Sequence, residues 1–435
     1  MIGPFEIGVG FVLMLVLMLM GLHVATVMAG VAMIGAVGYL GTPAVFAFGN
    51  QLWGATEDYV LLSIPLYILL GEILVRGGAT DRMYASLADW LNPLPGGLLH
   101  TNVGASALFS AVSGSSVATA ATISTIALPA FRHRGYDQRL VLGSIAAGAS
   151  LGNLIPPGIA FLVYGAMTNT SAGRLYAAGL LPGAIMTVLF MLTIAVIALA
   201  RPKLAGVREP DAPTAEKLGR LVHLLAPLFV FVVVMGSIYT GWATVSESAA
   251  LGVVCSLAVA AAYRKLTIGM LHESFLATAR LTAMSLLILA AAFYLNFVLG
   301  LLGVTQSLAA VVKSIEASPE VLLWGLALFY LLLGIFFETL PMLVGTVPII
   351  FPFVTAAGID PVHFGVFMVL MCEISLLSPP VGMTLYVIQG VRREGSIDEV
   401  FQGTWPFLLS MVAMTAILIH VPATALWLPQ LFFGK

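Results

Sequence analysis

The sequence predicts an all-α polytopic membrane protein made of two inverted-topology repeats, with about ten transmembrane helices and two re-entrant helical hairpins. Three observations carry this. The 435 residues are 60% hydrophobic and only 9% charged, with apolar runs beyond the roughly 17–25 residues that cross a bilayer. The punctuation of Ser113 to Pro157 returns 223 residues later, from Phe336 to Pro380. Pro129, Gly135, Asp137 and Pro156-Pro157 in the first copy match Pro352, Gly358, Asp360 and Pro379-Pro380 in the second. Finally, Lys and Arg divide very unequally between the two ends of the predicted spans.

In chain order, spans are predicted near 5–21, 22–40, 59–76, 139–168, 176–200, 221–240, 245–263, 278–300, 362–390 and 403–425. The apolar segments 98–131 and 320–355 are broken in the middle, by Ser113-Gly114-Ser115-Ser116 and by Glu338-Thr339-Leu340-Pro341. Each is predicted to enter and leave on one side, because irregular backbone at membrane depth must be buried in protein or line a polar cavity. Two full spans each is the alternative. Ala79 to Leu91 and Val304 to Ala317 mix charged and apolar residues at helical spacing and read as interfacial helices beside the hairpins. Residues 1–200 form the first repeat, 201–220 a polar, proline-containing linker on the cytoplasmic side, and 221–435 the second repeat.

With the N-terminus outside, Arg76, Arg82, Arg132, Arg134, Arg139, Arg201, Lys203, Arg208, Lys217, Arg220, Arg264, Lys265, Arg280, Arg392 and Arg393 fall on the cytoplasmic side. Arg174, Lys313 and Lys435 fall outside. Fifteen against three fits the positive-inside rule only if each hairpin returns to its starting side. The N-terminus carries no basic region and no small-residue cleavage site, which predicts a retained first helix rather than a cleaved signal peptide.

The basic residues form no groove, and the net charge is −2, so nucleic acid is excluded as a partner. Cys255 and Cys372 lie within apolar segments, which argues against a disulfide framework or a metal cluster. No cofactor is expected. The pattern points instead to a secondary transporter with its site where the repeats meet.

The first tip, Ser113-Gly114-Ser115-Ser116 with Thr119, offers hydroxyls and the free N–H groups at the start of a half-helix. An anion would be attracted there. Gly152-Asn153-Leu154-Ile155-Pro156-Pro157 and Ser378-Pro379-Pro380-Val381-Gly382-Met383-Thr384 interrupt apolar spans with paired prolines, which unwinds a helix and frees carbonyl oxygens. Oxygen donors without thiolates or imidazoles suit sodium better than a transition metal. Intramembrane carboxylates are expensive and usually functional. Glu338 and Glu373 are the candidates for coupling, whereas Glu72 and Glu247 read as interfacial or backbone-bonded groups.

These residues resemble the large membrane subunit of tripartite ATP-independent periplasmic (TRAP) transporters over nearly the whole chain. The likeness rests on Asp58-Tyr59-Val60-Leu61-Leu62-Ser63-Ile64-Pro65-Leu66 with Gly71-Glu72, Ser113-Gly114-Ser115-Ser116 with Ala118-Thr119, and Ile155-Pro156-Pro157 with Tyr164-Gly165. It also rests on Gly358-Ile359-Asp360-Pro361-Val362-His363-Phe364-Gly365 and Ser378-Pro379-Pro380-Val381-Gly382. The resemblance implies an elevator-type, sodium-coupled symporter in a bacterial inner membrane. It further implies a small four-helix membrane subunit, a periplasmic substrate-binding protein and an organic-acid substrate.

Sodium ligands are then expected among the backbone or side-chain oxygens of Ser113, Gly114, Ser115, Gly152, Asn153, Pro156, Phe337, Glu338, Thr339, Ser378, Gly382 and Thr384. Substrate contacts are expected from Ser115, Ser116, Thr119, Asn153, Thr339 and Thr384. Relatives often carry Asp at position 338, Thr at 378 and Asn at 384, changes that keep an oxygen donor. Two alternatives stand beside this reading. One is a self-sufficient ion-coupled carboxylate transporter. The other is an intramembrane enzyme using Ser115 or Glu338, although no His-Glu-x-x-His run or Gly-x-Ser-x-Gly elbow accompanies them.

Overall fold

A computed structural model describes residues 3–57, 59–132, 134–206, 213–304, 306 and 318–434. The first half folds as α1 (Pro4–Leu19), α2 (Val24–Leu40), α3 (Pro43–Glu57), α4 (Ser63–Arg76), α5 (Ala79–Leu91), α6 (Leu98–Ser113), α7 (Ser116–Phe131), α8 (Gln138–Ala149), α9 (Ile159–Thr168) and α10 (Ala172–Ala200). The second half contains α11 (Thr214–Arg220), α12 (Val222–Tyr239), α13 (Val245–Ala262), α14 (Ile268–Leu301) and α15 (Pro319–Gly334). It continues with α16 (Thr339–Ala356), α17 (Pro361–Leu377), α18 (Met383–Arg392), α19 (Ile397–His420) and α20 (Ala423–Phe433). The protein is all-α and polytopic. Among the described residues six helical stretches are long and apolar enough to cross a membrane, namely α10, α11–α12, α13, α14, α16 and α19.

The repeat seen in the sequence is a repeat of structure. Ser116 and Thr339, 223 residues apart, each open the second arm of a hairpin, and Gln138 and Pro361, also 223 apart, each open the helix that follows. Asp137 and Asp360 cap those following helices: Asp137 Oδ1 accepts from Leu140 N (3.1 Å), and Asp360 Oδ1 accepts from Val362 N (2.7 Å) and His363 N (3.2 Å). Such a cap satisfies N–H groups that the helix itself cannot. Both Pro-Pro pairs are cis.

The halves interlock. α7 packs along α18, and α16 packs along α9, so each hairpin arm lies against the helix that follows the other repeat's Pro-Pro break. α8 crosses α19 closely enough that Gly143 and Gly403 leave no room for a side chain between them. A second group, in which α14 packs on α2, α3 and α4, and α13 packs on α4 and α12, forms a flanking layer. The amphipathic α5 joins the two groups. Its Tyr84 donates to Asn102 Oδ1 on α6 (2.7 Å), and its Asp89 pairs with Arg220 (3.0 Å).

The unwinding expected at the paired prolines is present: spans 139–168 and 362–390 are each two helices separated by an irregular stretch. Other expectations change in detail. The polar linker is shorter than 201–220, because Thr214–Arg220 is already helical after Pro213 and runs into α12. α3 and α20, of 15 and 11 residues, had no counterpart in the prediction, since each is too short to read as a span. Ala79–Leu91 is a helix with one buried face, as expected. Nearly all of Val304–Ala317 lies outside the described residues, as do Asp58, Arg208, Lys313 and Lys435.

Ends predicted to share a side also meet in space. Arg132 and Gln138 at the base of the first hairpin line a cavity with Arg392. At the other end Tyr59, Asn169, Thr244 and Phe433 line a common recess.

Candidate functional site

The first tip is a tight turn between α6 and α7. Gly114 has φ +60°, a left-handed conformation, and a Cβ there would lie 2.3 Å from the Pro157 carbonyl oxygen. Only glycine meets both demands. The Gly114 carbonyl accepts from Ile159 N (3.2 Å), which sews the tip to the far side of the Pro-Pro break. Gly152 approaches as closely from the near side, since its Cβ would sit 2.3 Å from Ser116 N. Tip and break of the first repeat therefore form one unit.

Oxygens crowd this unit. Ser113 Oγ and Thr119 Oγ1 are 3.2 Å apart, Thr119 Oγ1 donates to the Ser115 carbonyl (2.8 Å), and Ser115 Oγ accepts from Ala118 N (3.4 Å). Ser113, Gly114, Ser116, Thr119, Gly152, Asn153 and Pro156 are buried, and Ser115 is partly exposed.

The second repeat supplies a carboxylate to the first. Ser116 Oγ donates to Glu373 Oε2 (2.7 Å), and Asn153 Nδ2 donates to Glu373 Oε1 (2.8 Å). Asn153 also donates to Ser116 Oγ from its backbone N (3.2 Å) and from Nδ2 (3.1 Å). Glu373 is wholly buried and has no Lys, Arg or His partner among the described residues. Two donors and the positive start of α7, of which Ser116 is the first residue, replace a counter-ion.

The second tip meets the same helix. Gly334 packs so tightly on Ser375 that a Cβ would lie 2.5 Å from the serine Cβ, and Cys372 Sγ lies 3.7 Å from the Thr339 carbonyl oxygen. Within four residues of α17, therefore, Cys372 and Ser375 touch tip two while Glu373 touches tip one.

At the second break Ser378 Oγ donates to the Ile374 carbonyl (2.8 Å), and Thr384 Oγ1 donates to the Leu376 carbonyl (2.6 Å). Thr339 Oγ1 is buried without a hydrogen-bond partner, and Glu338, half-buried at the start of α16, makes no side-chain cap. Phe337 and Gly382 are buried, whereas Pro380 and Val381 are exposed. The second centre is the more open of the two.

Each predicted site residue thus lies at one of two tip-and-break centres. Glu338 and Glu373, the two candidate coupling carboxylates, have different surroundings: one is at a tip with no side-chain partner among the described residues, the other is locked into the opposite repeat. The residues and their spacing do not reveal this cross-repeat contact. Gly71, named above only as part of the family likeness, backs the first tip with a Cβ position 3.1 Å from Ser113 Cα. Glu72 pairs with Arg76 (3.1 Å), and Glu247 accepts from Thr244 N (2.8 Å) in a helix cap, so both are structural as expected.

From residue 11 to 424 the sequence matches the family described as "Tripartite ATP-independent periplasmic transporter, DctM component". The chain belongs to that family. It is 33% identical over 388 residues to the C4-dicarboxylate TRAP transporter large permease protein DctM of Pseudomonas aeruginosa, covering 89% of this chain and 90% of that protein. It is 32% identical over 388 residues to the sialic acid TRAP transporter large permease protein SiaM of Vibrio cholerae, covering 88% and 90%. The crystal structure of the YdaH transporter of Alcanivorax borkumensis superposes with a TM-score of 0.63 at 17% identity, covering 88% of this chain and 89% of that one. That likeness speaks to fold alone. As a DctM-family permease the chain is a transport component, and the enzyme reading falls away.

Proposed function

We propose that this chain carries a small organic acid inward across the bacterial inner membrane together with sodium, within a complex containing a small four-helix membrane subunit. A periplasmic binding protein delivers the acid. The observation that carries this reading is the convergence of two oxygen-rich tip-and-break centres on α17. Sodium belongs at these centres because their donors are hydroxyl, amide and carbonyl oxygens, and cargo charge is balanced by helix starts rather than by a guanidinium. Ser113, Gly114, Ser115, Gly152, Asn153 and Pro156 serve the first ion. Phe337, Glu338, Thr339, Ser378, Gly382 and Thr384 serve the second.

The carboxylate of the acid is held between Ser115, Thr119, Thr339 and Thr384. Ser116 and Asn153 position this region through Glu373. The hairpins with α8, α9 and α17 to α19 form the moving body of an elevator, and α2 to α4 with α12 to α14 form its frame. Their interlocked packing favours motion as one piece.

Thermal unfolding of the purified chain in sodium against potassium tests the ion sites without knowledge of the cargo. Binding to the folded state alone adds about 2.7 kcal/mol at roughly one hundred times the dissociation constant. Proteoliposomes holding the chain and its small subunit, given binding protein loaded with succinate or sialic acid, test the rest. Uptake should require an inward sodium gradient. Uptake indifferent to sodium would overturn the coupling, and uptake undiminished without binding protein would favour a self-sufficient transporter.

A further inference from the structure

We propose that a cavity of about 330 Å³ where α7 and α18 end and α8 begins is an oxyanion-binding station that takes the cargo carboxylate as it leaves the transport site. The proposal rests on the organic-acid reading above and extends it to the route of release. The cavity is lined by Ser124, Thr125, Arg132, Gln138, Arg392 and Glu394.

Its position comes from the packing of α7 on α18. Both helices start at the site, at Ser116 and Met383, and both finish at this cavity, at Arg132 and Arg392. Ser124 lies two turns along α7 from Ser116, about 12 Å at 1.5 Å per residue. The inside-positive charge pattern puts this end on the cytoplasmic side.

Two buried, unpartnered polar atoms and one exposed arginine belong to the residues of this lining. Ser124 Oγ is wholly buried with no hydrogen-bond partner. Arg392 donates through Nη2 to Glu399 (2.5 Å), which fixes the guanidinium plane, while its Nη1 is buried and unpartnered. Arg132 has no carboxylate partner among the described residues. A guanidinium anchored along one edge and free along the other suits a planar oxyanion.

Arginines at helix C-termini are favourable in any case, and cytoplasmic ends attract them. Those effects explain the charges. They do not explain an unpartnered guanidinium nitrogen and an unpartnered hydroxyl, both buried, among the residues of one lining. Glu394 on the rim, with the negative ends of α7 and α18, keeps binding weak, as release requires. The volume lies in the range of small-molecule pockets, about 300–1,000 Å³.

The test titrates succinate and inorganic phosphate into the purified full chain by calorimetry. It compares wild type with Arg132→Gln, Arg132→Lys, Ser124→Val and, at the transport site, Ser115→Val, with the unfolding midpoint of each variant as the folding check. Saturable binding should persist in Ser115→Val, weaken at least fivefold in Arg132→Gln and Ser124→Val, and return in Arg132→Lys. In proteoliposomes Arg132→Gln should slow turnover while leaving the KM for loaded binding protein unchanged.

Binding abolished by Ser115→Val would overturn the station while leaving the transport reading intact. Wild-type binding in Arg132→Gln would do the same. If succinate and phosphate fail to bind while vesicles containing phosphatidylglycerol bind in an Arg132-dependent way, the cavity is a lipid headgroup site and the proposal falls. Failure of succinate and sialic acid uptake by the whole complex would strike the organic-acid reading itself.

Discussion

Ser116 and Glu373 stand 257 residues apart in opposite repeats, yet the serine hydroxyl donates to the buried carboxylate across 2.7 Å. With Asn153 bonded to both, the contact closes a three-residue clasp that holds the first tip, the first break and α17 in one arrangement. Glu373 satisfies the very donors that a cargo carboxylate would otherwise seek at the start of α7.

Removing one member of the clasp should strand the others. Ser116→Ala leaves Glu373 Oε2 and the Asn153 donors short of a partner in a buried site, at about 1–3 kcal/mol. The unfolding midpoint in detergent should fall, and uptake should be lost. A double-mutant cycle with Glu373→Gln should show coupling of about 0.5–3 kcal/mol. Additive effects would mean that the hydrogen bond contributes nothing as a pair.

Gly114→Ala should abolish transport, because the new methyl group meets the Pro157 carbonyl oxygen at 2.3 Å in a left-handed turn. Gly135→Ala is the matched comparison: it also has positive φ, +69°, but no atom lies within 4 Å of the added Cβ. That variant should lose only the backbone term, about 1 kcal/mol, and keep its uptake. Equal loss in both would show that turn strain, not tip-to-break contact, decides.

What the sequence revealed and what it concealed follow a physical division. Turn chemistry is local, so Gly135 and Gly358 past the hairpin arms, Asp137 and Asp360 as caps, and the paired prolines as breaks could all be read from residue type and spacing. Cross-repeat contact is not local. Nothing around Glu373 says that its partner is Ser116 rather than Glu338 or Ser378, because the choice depends on how α17 is threaded between the hairpins. Short helices were equally hidden: α3 contains Asn50, Gln51 and three glycine or proline positions, which dilute its apolar signal below that of a span.

The crossing of α8 and α19 should tolerate no added methyl. A Cβ on Gly143 would lie 2.0 Å from the Gly403 carbonyl oxygen, and one on Gly403 would lie 2.0 Å from that of Arg139. Small residues that let helix backbones touch are a main source of packing in membranes. Gly143→Ala should destabilise by about 1–3 kcal/mol, the usual range for overpacking. Gly30→Ala on α2, with open space around it, should instead be neutral or stabilising by up to about 1 kcal/mol. Size-exclusion profiles and unfolding midpoints of the two variants would separate them.

Thr339 gives the sharpest separation of stability from ion binding. Its hydroxyl is buried at the second tip with no protein partner, whereas the Thr384 hydroxyl at the second break donates to the Leu376 carbonyl. Valine keeps the shape of threonine and removes the hydroxyl. Thr339→Val therefore breaks no bond within the protein and relieves an unsatisfied buried group, so its unfolding midpoint in potassium should equal or exceed that of wild type. Thr384→Val loses a real bond and should be destabilised by about 1 kcal/mol in the same buffer. On the sodium reading proposed above the order should change in sodium, because a ligand oxygen matters only when the ion is present. Thr339→Val should lose part of the sodium-specific stabilisation and show a right-shifted sodium titration of uptake. A sodium response identical to wild type would mean that the Thr339 side chain only packs.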